Sequence, residues 1–172
     1  MKYISILGCG WLGFPLAKSL LTKGYNIKGS STTAASLERI KAAGIIPFQI
    51  RLEEKEIIGN VTEFLNQTEV LIIAIPPGLR KEKLLDDAMP FVNKIKTLVP
   101  FIEKAGVQKV LFVSATSVYG DSTIHSTSQE ITEEIKATPN TESGKQLVFV
   151  EQLLQSNIHF KTTVIRLGGL LG

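Results

Sequence analysis

Six residues near the amino terminus carry the spacing best suited to chemistry: Gly8-Cys9-Gly10-Trp11-Leu12-Gly13, a G-x-G-x-x-G run. The run follows the apolar segment Tyr3–Leu7 directly and opens an amphipathic stretch, Leu12–Lys23, with Leu12, Leu16, Leu20, Ala17 and Leu21 on one face. Glycines placed between a strand and a helix suit an anion. Gly8 permits the tight turn, Gly10 brings backbone against a pyrophosphate with no Cβ in the way, and Gly13 lets the helix pack closely on the strand. The helix N-terminus adds unpaired N–H groups and a positive dipole end. The expected ligand is a dinucleotide, met by Gly8, Gly10, Trp11, Leu12 and Gly13. Trp11 either flanks that ligand or covers the sheet edge. Cys9 reads as a small packed residue, since no base lies near it in sequence.

About 20 residues beyond the first glycine, an NAD site usually carries a carboxylate for the ribose 2′-hydroxyl. This chain reads Lys28-Gly29-Ser30-Ser31-Thr32-Thr33 there. A 2′-phosphate would meet no repulsion, and Ser30, Ser31 and Thr32 could accept it, with Lys28 or Arg39 adding charge. NADP is therefore expected over NAD. The same hydroxyls also suit a helix cap, and the two roles are compatible. A later apolar run ends Ala74-Ile75-Pro76-Pro77. In a parallel sheet this segment passes beside the glycine loop and close to the cofactor, although a Pro-Pro strand stop explains the prolines equally well.

These residues need a scaffold, and the apolar pattern supplies one. Strands are predicted at Tyr3–Leu7, Asn26–Gly29, Ile45–Ile50, Val70–Ile75, Lys109–Ser114 and Thr162–Leu167. Helices are predicted at Leu12–Lys23, Ser36–Ala43, Leu84–Ala105 and Gly144–Gln155, with Pro90 and Pro100 placed to kink or split the third. Strands rich in Ile and Val, separated by helices, indicate a parallel sheet covered on both faces. The expected fold is a doubly wound α/β domain with strand order 3-2-1-4-5-6. The polar stretch Gly120–Ser143 is a functional or disordered loop by its length.

Composition narrows the remaining classes. The chain has 172 residues, 44% hydrophobic and 20% charged, with 19 Lys and Arg against 16 Asp and Glu. That suits one domain. A lone cysteine excludes an internal disulfide framework, and with only His125 and His159 no metal site is expected. The basic surplus is small and scattered, without interleaved aromatics, so no nucleic-acid partner is expected. No apolar run approaches membrane-spanning length, and a soluble, cytoplasmic protein is expected.

The segment Val113-Ser114-Ala115-Thr116-Ser117-Val118-Tyr119-Gly120, with the N-terminal glycine loop, resembles the extended short-chain dehydrogenase/reductase superfamily, the NAD-dependent epimerase/dehydratase group typified by UDP-galactose 4-epimerase. Gly144-Lys145, Val150-Glu151-Gln152-Leu153-Leu154 and Thr163-Val164-Ile165-Arg166-Leu167-Gly168 extend the likeness along essentially the whole chain. The resemblance implies an NAD(P)-binding domain over residues 1–172, with Ser114 and Ala115 beside the cofactor and an unknown small-molecule substrate. It also implies departures. Ala115 stands where the family has its catalytic Ser or Thr, Ser143 at the Tyr position, Leu147 at the Lys position, and Arg51 where relatives place an adenine-contacting Asp. Thr116, Ser117 and Tyr119 are the remaining catalytic candidates, with Tyr119 equally readable as a packed tyrosine. Arg166 faces either an anionic substrate or a carboxylate such as Glu151.

The pattern looks like the atypical branch of the superfamily, an NADP-dependent oxidoreductase or epimerase-like enzyme. The alternative is a non-catalytic NADP-binding sensor or scaffold. Relatives pair through long helices, which makes the apolar faces of Leu84–Ala105 and Gly144–Gln155 candidate homodimer surfaces as well as candidate core. Extended relatives continue past the position of Gly172, so the chain is expected to be part of a longer protein that lacks here the substrate-binding portion.

Overall fold

The computed structural model describes residues 2–78, 88–120 and 132–168. Six parallel strands, β1 (Tyr3–Leu7), β2 (Asn26–Ser31), β3 (Ile46–Gln49), β6 (Thr68–Ile73), β7 (Lys109–Ala115) and β8 (Lys161–Leu167), form one sheet in the order β3-β2-β1-β6-β7-β8. Counted within the sheet alone, this is the expected 3-2-1-4-5-6 arrangement. The first half of the chain builds outward from β1 to β3, then crosses back to place β6 on the other side of β1. The polarity of winding therefore reverses between β1 and β6, and a crevice opens at their C-terminal ends.

Two apolar cores cover the sheet. Ile6, Ile27 and Ile72 point to one face, where Ala17 of α1 (Gly13–Thr22) and Ile40 of α2 (Ala34–Ala42) close over them. Leu7, Leu71, Ile73, Val110 and Phe112 point to the other, against Ile95 and Leu98 of α4 (Pro90–Lys104) and Leu147, Val150 and Leu154 of α5 (Glu142–Gln155). Adjacent strand residues alternate between cores, which is why the strands read as unbroken apolar runs.

Several boundaries differ from expectation. The third predicted helix starts at Pro90 rather than Leu84: Ala88 and Met89 are not helical, and residues 84–87 lie outside the described residues. Proline at the first helical position has no N–H to lose. The next amide, Phe91 N, donates to Gln146 Oε1 at 2.8 Å, so a buried glutamine of α5 satisfies the start of α4. Pro100 sits inside α4 without ending it. The strand predicted to Ile75 stops at Ile73, and Ala74 N then donates to Leu7 O at 2.9 Å, tying the chain across the crevice.

A small hairpin of β4 (Arg51–Leu52) and β5 (Ile57–Ile58), followed by α3 (Val61–Leu65), was not expected. Two-residue strands carry no periodicity to read. Gly59, at φ +112°, makes the turn into α3, and a Cβ there would strike the Gln49 carbonyl. Among the described residues, no helix is long and apolar enough to cross a membrane.

Candidate functional site

The glycine loop lies in the crevice, and each glycine answers a different contact. Gly8 sits at φ +98°, and a Cβ on it would come within 2.9 Å of the Ala74 carbonyl oxygen. At Gly13 a Cβ would collide with the Gly8 carbonyl, so the first turn of α1 packs directly on the loop. Gly10 is the opposite case: nothing lies within 4 Å of the position a Cβ would take. Its freedom from a side chain serves the open space above it.

That space consists of two hollows meeting at Gly10 and the Ala74–Pro77 segment. The first, about 370 Å³, is bounded by Gly8, Ser30, Ser31, Thr32, Ile50, Arg51, Leu52, Phe91 and Lys94 as well as the shared segment. The second, about 400 Å³, lies between Trp11 and Leu12 on one side and Val113, Ser114, Ala115 and Leu147 on the other. The N-terminus of α1 faces their junction. It has no side-chain cap, whereas Thr33, Asn60 and Thr141 cap α2, α3 and α5. Uncapped amides at a dipole's positive end suit an anion at that junction.

The second strand's hydroxyls divide their work. Ser30 is buried and its Oγ accepts from Gly8 N at 3.0 Å, while its carbonyl accepts from Cys9 N at 2.7 Å. It shapes the glycine loop. Thr33 caps α2 through Ser36 N. Ser31 and Thr32 are left facing the first hollow.

The expected cations are rearranged. Lys28 is turned away from the crevice: its Nζ donates to the carbonyls of Glu63 and Asn66 at 2.7 and 2.8 Å, which corrects the expectation that it could meet a phosphate. Lys28 shares its strand face with Ser30 but lies two residues nearer the N-terminal end of β2, where the carbonyls at the end of α3 meet it. Burial lowers its pKa, with Glu63 opposing the shift. Arg39 does not line either hollow; its Nη2 donates to the Cys9 carbonyl at 3.5 Å, and its guanidinium lies 4.3 Å from the Phe14 ring centre. In their place Arg51 and Lys94 stand on the wall of the first hollow. Lys94 had one legible signal, a cation within the apolar stripe Phe91, Ile95, Leu98.

Cys9 is 1% exposed, with burial pushing its thiol pKa up to about 11 against the smaller lowering effects of a hydrogen bond with the Ser30 backbone and of Arg39. The thiolate is thus disfavoured in the fold. Native protein at pH 8 is expected to resist iodoacetamide, with labelling at least about tenfold faster after urea unfolding; equal rates, read by mass spectrometry, would contradict a buried thiol. Because the folded pKa is raised, this thiol's contribution to stability is full below pH 9 and is lost as pH rises through about 11.

The catalytic candidates fall outside both hollows. Thr116 is exposed, Ser117 is half-buried, and both belong to a 3-10 turn, Thr116–Tyr119, that follows β7. Tyr119 is buried, and its hydroxyl accepts from Arg166 Nη1 at 2.8 Å. Arg166 meets a carboxylate, as one of its two expected roles: Nε and Nη2 donate to the two oxygens of Glu151 at 3.1 and 2.6 Å. Those bonds hold the Arg166 pKa above its already high ordinary value. Among the described residues, no ionisable side chain lines the second hollow, and Leu147 presents an apolar wall there. His125 lies outside the described residues.

A family model described as NADP oxidoreductase coenzyme F420-dependent matches residues 3–99. The chain is 31% identical over 173 aligned positions to Protein YeeZ of Escherichia coli K12, covering all of this chain and 60% of that protein. Among solved structures, UDP-glucuronic acid 4-epimerase from Bacillus cereus, in complex with UDP-glucuronic acid and NAD, superposes with a TM-score of 0.72 at 22% identity, over 96% of this chain and 56% of the other. A functionally unknown conserved protein from Silicibacter pomeroyi superposes with a TM-score of 0.69 at 22% identity, over 97% and 52%. The chain thus spans between about half and 60% of the length of these proteins.

Proposed function

The chain belongs to the NADP oxidoreductase coenzyme F420-dependent family, and from that premise we propose that residues 1–172 form the nicotinamide-dinucleotide-binding domain of an oxidoreductase or epimerase-like enzyme, of the atypical branch of the extended short-chain dehydrogenases. The observation that carries this reading is the pair of hollows joined over Gly10, with the uncapped start of α1 at their junction. The pyrophosphate would rest on the loop at Gly8, Gly10 and Gly13. The adenosine half would occupy the first hollow and the nicotinamide half the second. When bound, the cofactor supplies a hydride donor or acceptor at the nicotinamide ring. The chain's own contribution is to bind, orient and exclude water, through the apolar walls of Trp11, Leu147 and Pro76.

The preferred cofactor is NADP. Ser31 and Thr32 offer hydroxyls, and Arg51 offers a guanidinium beside them whose ion pair with Glu53, at 3.3 Å, is solvent-exposed on both sides and weak. Charge-assisted bonds to a phosphate contribute about 1.5–3 kcal/mol. Arg51→Ala is expected to weaken NADP+ binding about tenfold or more in a calorimetric titration while changing NAD+ affinity less than about twofold. Equal affinity of the unsubstituted chain for NADP+ and NAD+ would overturn the preference.

A second reading, a dinucleotide-binding sensor that turns nothing over, is favoured by the lack of an ionisable group on the second hollow among the described residues. Proton transfer at a reacting carbonyl needs a positioned acid, and neither Ser143 nor Leu147 supplies one. Substrate-dependent oxidation of NADPH by the full-length protein, followed by absorbance, would exclude that reading.

A further inference from the structure

The hairpin that follows β3 carries Arg51, and the fold holds it at three places. At its base Gly59 lies so close to Gln49 that a Cβ would strike the Gln49 carbonyl. On its inner side Leu52 is buried in the core shared with Phe91 and Ile95 of α4, and its ladder partner Ile57 packs against that core. The third hold is at the tip. Glu53 N donates to Glu56 O at 2.9 Å and closes the turn, which puts Glu54 at its corner. Two residues of α4 grip that corner by both its side chain and its backbone. Asn93 Nδ2 donates to Glu54 Oε2 at 2.9 Å, and Thr97 Oγ1 shares its proton between Glu54 O at 3.0 Å and Asn93 O at 2.9 Å.

The helix thereby serves the first hollow with two stripes. Asn93 and Thr97, four residues apart, reach the hairpin, while Phe91 and Lys94, three residues apart, line the hollow itself. Alternation along the hairpin sends Leu52 into the core and leaves Arg51 at the hollow. The tip is acidic, with Glu53, Glu54 and Glu56 around Lys55. A loose carboxylate near a guanidinium competes with a phosphate for the same donors. Glu54 is kept out of that competition, because its carboxylate is bonded to α4 and does not line the hollow.

We propose that Asn93 and Thr97 are positioning residues for a phosphate monoester in the first hollow. By fixing the hairpin tip they hold Arg51 where the 2′-phosphate of NADP binds, and they keep the Glu54 carboxylate away from it. This rests on the dinucleotide reading above. Neither residue lines the hollow, so both act through Arg51 rather than on the ligand.

The test is a double-variant cycle, read by calorimetric titration with NADP+ and NAD+. Asn93→Ala combined with Thr97→Val is expected to weaken NADP+ binding about three- to tenfold and to leave NAD+ binding within about twofold. In an Arg51→Ala background the same pair is expected to change neither affinity by more than about twofold, because the group it positions is gone. Retained NAD+ binding also shows that the variants are folded. Both ligands weakened alike, or a loss of NADP+ affinity that persists without Arg51, marks a merely structural role and overturns the proposal. NADP+ binding untouched by the pair overturns it as well. If Arg51→Ala alone leaves NADP+ binding unchanged, the phosphate role of Arg51 fails first and its positioning fails with it; if the unsubstituted chain binds neither ligand, the dinucleotide reading itself fails.

Discussion

Arg166→Met is expected to lower the free energy of unfolding by about 3–5 kcal/mol, measured by urea denaturation. Glu151 is 3% exposed in the middle of α5, and both its oxygens are held by one guanidinium on β8. Removing the arginine leaves a carboxylate in the core with no compensating charge, and Tyr119 loses the donor to its hydroxyl. The bidentate geometry also pins α5 to the edge strand, so Leu147 and the wall of the second hollow loosen with it. The double variant Arg166→Met with Glu151→Leu separates charge from packing. Replacing both partners by apolar residues of similar size should recover most of the loss. If the double variant is as unstable as the single one, the ion pair is incidental and the packing of α5 on β8 carries the stability.

Gly10→Val is expected to do the reverse, leaving stability within about 0.5 kcal/mol and weakening dinucleotide binding about a hundredfold. The backbone at Gly10 does not adopt a positive φ, and no atom lies within 4 Å of the position of a Cβ, so the fold tolerates a side chain there. The ligand does not. Gly10 borders both hollows, and isopropyl carbons would occupy the crossing point between them, an overlap on the scale of about 3 kcal/mol. Gly13→Ala is the informative contrast, because its Cβ meets the Gly8 carbonyl and must displace the loop itself. Thermal unfolding and ligand titration on both variants sort the two glycines into one that serves ligand and one that serves packing. Binding unimpaired in Gly10→Val would remove the crossing point from the proposed site.

The chain's periodicities explain which parts were readable in advance. Tyr3–Leu7, Leu12–Lys23 and Lys109–Ser114 have long, regular patterns, and the structure reproduces them within about two residues. The apolar positions before Pro90 suit a helix, yet α4 begins at Pro90, where Gln146, 55 residues from Phe91, accepts the Phe91 amide. The hairpin β4–β5 and α3 leave no mark in the apolar pattern, because two to five residues cannot display a period.

By itself the sequence determined the parallel sheet, its winding order and the position of the glycine loop, because these follow from apolar period and from where glycines interrupt it. Only the tertiary structure decided which way individual side chains point. Lys28 and Ser30 are two residues apart on one strand, yet one reaches the carbonyls at the end of α3 and the other the Gly8 amide. Arg51 joins the first hollow because the chain past β3 stays against the end of β2, with Ile50 N donating to Ser31 O, and Tyr119 is withdrawn because Arg166, 47 residues away, holds it. The hold of Thr97 on the Glu54 carbonyl is likewise invisible in a string of residues. It joins positions 43 apart, and α4 comes beside the hairpin only after β6 has been laid against β1.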